Sequence, residues 1–271
     1  MAINYGVIEG QRDTDWIAGQ IPYEIRNPNG DWTPYLPPGE WQKNSVIDSM
    51  ACVTFSALNS IETQYKFLTG KDRNFSDRFT AKMSNTTTNG NYLWRVGDSI
   101  RQHADGSGDG LVDEIVWPTE GNFDWAKYYE PIPEFVKGKG KEFLMEWDVK
   151  YEFIDFNKDS LIYHLKQSPI QVVIPGHAVL NFLTTQQVIK YFDSYEPFIK
   201  ETQSISSALK YVLTRKTMDK DLTRRLVEKL YKTWLQSDSG AVDYWTNIID
   251  SPERLENFID QKLSDVREAV K

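Results

Sequence analysis

Apolar residues along this chain change their spacing part-way, and that change restricts the folds open to it. From Asp48 to Leu68 they fall at Met50, Val53, Phe55, Ala57, Leu58, Ile61, Tyr65 and Leu68, the 3.6-residue rhythm of a helix with a buried face. Gly70 follows as a stop, and Asp48 or Ser49 is placed to cap the start. From Trp147 onward the rhythm turns towards strand. Trp147–Phe153 alternates, Ile170–Ile174 is a short apolar run, and 178–184 and 187–192 pattern as a strand pair, with a helical stretch over 159–167. Helices first and strands later predict an α+β fold rather than alternating βα units.

The flanks differ from this middle. Residues 1–47 are rich in Pro, Gly, Asn and Trp, and Pro34, Pro37, Pro38 and Gly39 break any helix, so they read as an extended arm packed on the core. Residues 48–200 form that core. Within it Ser76 caps a helix running to Met83, a third helix spans 93–102, and 137–141 reads as a polar loop. Residues 201–271 pattern as a helical extension, with candidate helices at 204–213, 219–235, 239–249 and 251–270; the last starts Ser251-Pro252-Glu253, a cap and then Pro at the first helical position. The charges from Lys210 to Lys232 read as a solvated helix face, and the extension as a surface for a protein partner.

Cys52 is the only cysteine of the 271 residues, so no internal disulfide can hold the fold, and a hydrophobic content of 40% must supply the core instead. The net charge of −8 carries no basic block, which argues against nucleic acid. No apolar run reaches the roughly 18 residues needed to span a bilayer, and the start of the chain lacks a signal-peptide pattern. A cytoplasmic or virion-associated protein is expected.

Cys52 falls in the first turn of the buried helix, where free N–H groups and the positive end of the dipole favour a thiolate. His177 closes an apolar strand 125 residues on, and Asp193 lies 141 residues on in Tyr191-Phe192-Asp193-Ser194-Tyr195. A thiol, an imidazole to hold its proton and a carboxylate to orient the imidazole make a nucleophilic triad. His103 and His164 have no such partners and read as solvated or capping residues. Asp105-Gly106-Ser107-Gly108-Asp109-Gly110 carries the first, third, fifth and sixth positions of a calcium loop, but Val116 stands where the twelfth needs Glu, so a flexible surface insertion is expected and no metal or cofactor.

Several segments together resemble the papain-like cysteine peptidases. Cys52-Val53-Thr54-Phe55-Ser56-Ala57 is similar to that family's nucleophile helix, and Phe75-Ser76-Asp77 to the start of its next helix. Asn89-Gly90-Asn91-Tyr92-Leu93-Trp94 resembles the stretch that lines its substrate cleft, Pro169–Ile174 the strand before its histidine, His177-Ala178-Val179 its His-Ala-Val, and Asp193-Ser194-Tyr195 its Asn-Ser-Trp. The resemblance runs over 48–198. It implies a two-lobed α+β fold, a helical lobe and a β-barrel-like lobe, hydrolysing peptide bonds of a protein or peptide substrate through Cys52, His177 and Asp193. Gln42 would supply the oxyanion amide, and Asn89, Gly90 and Asn91 would bind substrate.

The departures are specific. The first cysteine of the family's Cys-Gly-Ser-Cys is missing, which implies a divergent, disulfide-free, prokaryotic or phage type. Gln42 stands ten residues before Cys52, so the intervening loop must bulge. Asp193 replaces Asn, and Asn91 replaces a Gly and adds a side chain to the cleft wall. No inhibitory propeptide helix precedes Cys52. Two rival readings stay open: a cell-wall amidase of NlpC type, and a non-catalytic phage or virion structural or assembly protein on the same fold.

Overall fold

A computed structural model describes residues 5–216 together with 249, 254, 255, 257 and 258. The chain divides into two compact units, residues 1–144 with 148–214 and residues 145–147 with 215–271. Every candidate residue lies in the first. The helices are α1 (Cys52–Thr69), α2 (Asp77–Met83), α3 (Leu93–Ile100), α4 (Trp125–Tyr128), α5 (Glu134–Glu146) and α6 (Lys158–Leu165). The strands are β1 (Trp147–Phe153), β2 (Ile170–Ile174), β3 (His177–Thr184), β4 (Ile189–Phe192), β5 (Ile199–Thr202) and β6 (Ser207–Arg215). They form one sheet in the order β1-β6-β2-β3-β4-β5, antiparallel from β6 through β5.

Helix α1 is buried along its first 13 residues, Cys52 to Gln64. Polar side chains fasten it to the sheet: Gln171 donates to the Val53 carbonyl and to Ser56 Oγ, both at 2.7 Å, and Gln64 accepts from Leu213 N–H at 3.0 Å. Each bond satisfies a group that would otherwise be stranded in the core, at a cost of about 1–3 kcal/mol. The helix begins at Cys52, later than its apolar rhythm suggests, and no side chain caps it. Asp48 cannot cap because its carboxylate receives Met50 N–H and Gln42, and Met50 turns the chain at a left-handed φ of 56°. Gly70 closes the other end at φ 71°.

The sheet buries Trp32, Leu165, Val172, Val179, Phe182 and Phe192 in one cluster. Ser76 accepts from Phe79 N–H at 3.0 Å and caps α2 as its sequence suggests. Pro175 and Gly176 make the two-residue turn between β2 and β3, with Gly176 at φ 74°, the Pro-Gly order of a type II turn. His177 therefore opens a strand instead of closing one.

Three expectations are corrected. The helix expected over 204–213 is strand β6, buried between β1 and β2, so 201–215 completes the sheet instead of starting a helical extension. Ala, Leu, Val and Tyr fit either periodicity, and sheet partners far away in sequence decide between them. Residues 137–141 lie inside α5, not in a loop. Gly140 is there because a Cβ would stand 2.1 Å from the Asp109 carbonyl, so the helix and that loop pack backbone to backbone. Lys210, read as solvated, is 1% exposed and pairs with the equally buried Glu152 at 2.6 Å. The other oxygen of Glu152 receives Gln20 and Ile21 N–H at 3.1 and 3.0 Å, which ties the N-terminal arm to the sheet. His164 is buried beside this pair.

The candidate helices at 219–235 and 239–249 lie outside the described residues apart from Ile249. Of the one at 251–270, Arg254, Leu255, Asn257 and Phe258 are described and are helical. No helix among the described residues is long and apolar enough to cross a membrane.

Candidate active site

Cys52, His177 and Asp193 meet where the start of α1 faces the start of β3. The buried Cys52 sulfur accepts from the backbone N–H of Ala178 at 3.4 Å. His177 Nε2 lies 2.6 Å from Asp193 Oδ1, and both residues are buried. Asp193 directly follows β4, and its N–H is held by the Phe198 carbonyl at 2.7 Å, which fixes the carboxylate at the head of the β4–β5 hairpin. Its second oxygen takes Lys200 Nζ at 2.7 Å. Burial works against the Asp193 charge, but the His177 and Lys200 hydrogen bonds outweigh it and hold the carboxyl below its ordinary range. An ionised carboxylate can only accept, so the ring proton sits on Nε2. Nδ1 is buried without a hydrogen-bond partner among the described residues.

The thiol is at rest. Burial pushes Cys52 up to about 12, with the Ala178 N–H opposing and the Asp48 and Asp193 charges adding to the rise. The thiol forms no hydrogen bond with His177 among the described residues, and the favourable helix start is outweighed by desolvation.

The chain's own N-terminal arm covers this site. Tyr5 N–H donates to the Gly176 carbonyl at 2.7 Å, Asn91 N–H to the Gly6 carbonyl at 2.9 Å, and Ile8 N–H to the Asn91 carbonyl at 2.8 Å. Val7 thereby pairs with Asn91 as a one-residue parallel bridge. The Tyr5 ring lies 5.0 Å from the His177 ring, and Tyr195 lies 5.6 Å from it. Gly6, at φ 113°, passes so close that a Cβ would stand 2.1 Å from the Met50 carbonyl, and a Cβ on Gly90 would stand 2.0 Å from the Gly6 carbonyl. Only glycines allow this approach.

Gln42 is buried at the same place. One amide N–H goes to the Tyr5 carbonyl at 3.0 Å and the other to Asp48 at 2.8 Å, while its oxygen accepts from Ser194 at 2.8 Å. The ten-residue spacing is absorbed by a small hairpin in which Lys43 bridges Asp48 and Asn44 N–H bonds the Ile47 carbonyl at 3.0 Å. Asp48 also accepts from Tyr195 OH, which props that ring against His177.

Of the cleft strip, Gly90 and the backbone of Asn91 face the arm, whereas Asn89 is exposed. The Asn91 side chain does not enter the cleft wall, contrary to expectation. It is fully buried and donates to the Ser84 carbonyl, Ser84 Oγ and Thr86 Oγ1, each at 3.0 Å, while accepting from Tyr92 N–H. In the loop at 105–110, Asp105 is taken by Ser107 and Asp109 by Ser99, and no group of ligating side chains suited to a metal forms among the described residues.

No family model matches the chain, and a search among curated proteins finds no match. Solved structures do resemble it. Procathepsin L 3 from the larval midgut of Tenebrio molitor superposes with a TM-score of 0.52 at 13% identity, over 77% of this chain and 76% of that one. The ragweed pollen cysteine protease Amb a 11, in its proform, gives 0.51 at 14% identity, over 67% of this chain and 65% of that one.

The fold is papain-like. Helices plus an antiparallel sheet give the two-lobed α+β architecture expected from the sequence. Tyr5, Gly6, Asp48 and Lys200 lie against this candidate site, where the sequence did not place them. For Lys200 a signal existed: a buried Asp in place of Asn needs a counter-charge, and Lys200 lies seven residues on, where a hairpin would return it.

Proposed function

We propose that this protein is a thiol-dependent peptidase using Cys52, His177 and Asp193, held latent by residues 5–8. The His177–Asp193 contact at 2.6 Å beside the Cys52 sulfur carries the reading, because it leaves Nδ1 as the one nitrogen able to take the thiol proton. The step balances simply. Nδ1 takes the proton, the sulfur bonds the carbonyl carbon of the substrate, and the carbonyl electron pair moves to oxygen. The imidazolium then gives its proton to the departing amine as the C–N bond breaks, and water hydrolyses the thioester. Gln42, already donating to the Tyr5 carbonyl, would donate to the oxyanion. Gly90 and the Asn91 backbone would bind an extended peptide once the arm has left.

A non-catalytic scaffold is the second reading, favoured by the fully buried, protonated thiol. Reaction with the epoxide E-64 at pH 6, followed by intact mass, separates the two. The peptidase reading expects an adduct on the full chain or on the Gly6→Ala variant, and none on Cys52→Ala. A thiol that stays inert in both, with the fold intact, leaves the scaffold.

A further inference from the structure

Asp193 is tied at both oxygens, and the second tie has no counterpart in a site built on a neutral amide. Oδ1 meets His177 at 2.6 Å and Oδ2 meets Lys200 Nζ at 2.7 Å. Lys200 reaches it from β5, where it pairs across the hairpin with Tyr191. Among the described residues, the other titratable groups around Asp193 are Cys52, Tyr191 and Tyr195, whose ionised forms would all repel its charge. Lys200 is thus the basic partner on the second oxygen, and it is 26% exposed, partly sheltered from water.

We infer that Lys200 is a positioning residue that keeps Asp193 an acceptor for His177 Nε2–H down to acidic pH, leaving Nδ1 for the thiol. This rests on the peptidase reading. A buried carboxyl without a counter-charge takes up a proton readily. A protonated Asp193 can donate to Nε2, which moves the ring proton to Nδ1 and removes the base from the thiol. Placing Asp where the family has Asn therefore creates an acid sensitivity that an amide lacks, and Lys200 removes it. An amide is neutral at every pH, so the need for Lys200 depends on residue 193 being Asp.

That dependence supplies the test. The rate of E-64 modification of Cys52 is measured from pH 5 to pH 8 in the full chain, or in the Gly6→Ala chain if only that reacts, with Lys, Met or Arg at 200 and with each of these in an Asp193→Asn background. Lys200→Met is expected to lose about tenfold at pH 5 and less than twofold at pH 8, since an opposite charge at this range moves a carboxyl by about one pH unit or more. Lys200→Arg is expected to retain the native profile, and Lys200→Met to have no effect in the Asp193→Asn background. An equal loss at both pH values, or the same loss in that amide background, overturns the inference and makes Lys200 merely structural. Nitrogen-15 NMR of the His177 ring reads the tautomer without any thiol chemistry. If the thiol proves inert, the peptidase reading fails, while a ring proton that leaves Nε2 at higher pH in Lys200→Met still upholds the role of Lys200. An unchanged tautomer there refutes it.

Discussion

Gln42 donates a side-chain N–H to the main-chain carbonyl of Tyr5 at 3.0 Å, beside the His177 ring. The amide proposed as the oxyanion donor is thus already paired with a main-chain carbonyl of the same chain. Three further backbone bonds, at Gly176 and twice at Asn91, continue the pairing. In the peptidase reading, these four residues of extended arm would provide the latency that a propeptide helix provides elsewhere.

Gly6→Ala should open this contact. The new Cβ would stand 2.1 Å from the Met50 carbonyl at a φ that L-residues avoid, so the segment must shift and lose its bonds to Asn91. Each bond contributes about 1 kcal/mol net. Iodoacetamide should therefore modify Cys52 about tenfold faster or more in this variant at pH 7, with no change in melting cooperativity. A rate equal to that of the native chain would mean that the arm is not the gate.

Gln42→Ala separates gate from catalyst. Removing the amide frees the Tyr5 carbonyl, so alkylation of Cys52 should rise, whereas turnover of a peptide substrate should fall about 10²–10³-fold, the usual loss for an oxyanion donor. Parallel changes in both measurements would show that Gln42 only holds the arm.

Much of this was legible in the sequence, and the exceptions share one cause. Cys52, His177, Asp193 and the strands before β5 follow from local rhythm, turn chemistry and order along the chain. β6, the burial of Lys210 and the role of Tyr5 depend on partners far away in sequence. Lys210 meets Glu152 across the sheet, and Tyr5 meets Gly176 from the opposite end of the core sequence. A lysine between apolar neighbours looks solvated until a buried carboxylate is placed beside it.

Lys210→Ala should therefore be among the most damaging changes away from the site. Burial already lowers the Lys210 ammonium from its usual range, with Glu152 opposing. Deleting the ammonium leaves the buried Glu152 without its cation, held by Gln20 and Ile21 N–H, a loss of about 3–5 kcal/mol for a broken buried pair. Chemical denaturation of Lys210→Ala and of Lys210→Met with Glu152→Gln should show recovery in the double variant, because Gln keeps both backbone bonds without the charge. No recovery would locate the defect in packing.

A second buried group makes stability depend on pH. Glu40, Glu62, Asp77 and Glu114 gather near the start of α2, and burial raises each of them, Glu114 to about 7. Glu62 accepts from Phe75 N–H at 2.7 Å, while Asp77 Oδ1 has no hydrogen-bond partner among the described residues. With raised values, the folded chain binds more protons than the unfolded one across this window. Its stability is therefore full below the ordinary carboxyl value of about 4.5 and falls as pH rises towards 7. The melting temperature should drop by several degrees, at about 2–4 °C per kcal/mol for a chain of this size, between pH 5 and pH 8. Glu62→Gln keeps the Phe75 bond and removes one charge and its repulsion of the other three, so it should flatten that fall and melt higher than the native chain at pH 8. A native chain equally stable at pH 5 and pH 8 would show that the four carboxyls are charged in the fold.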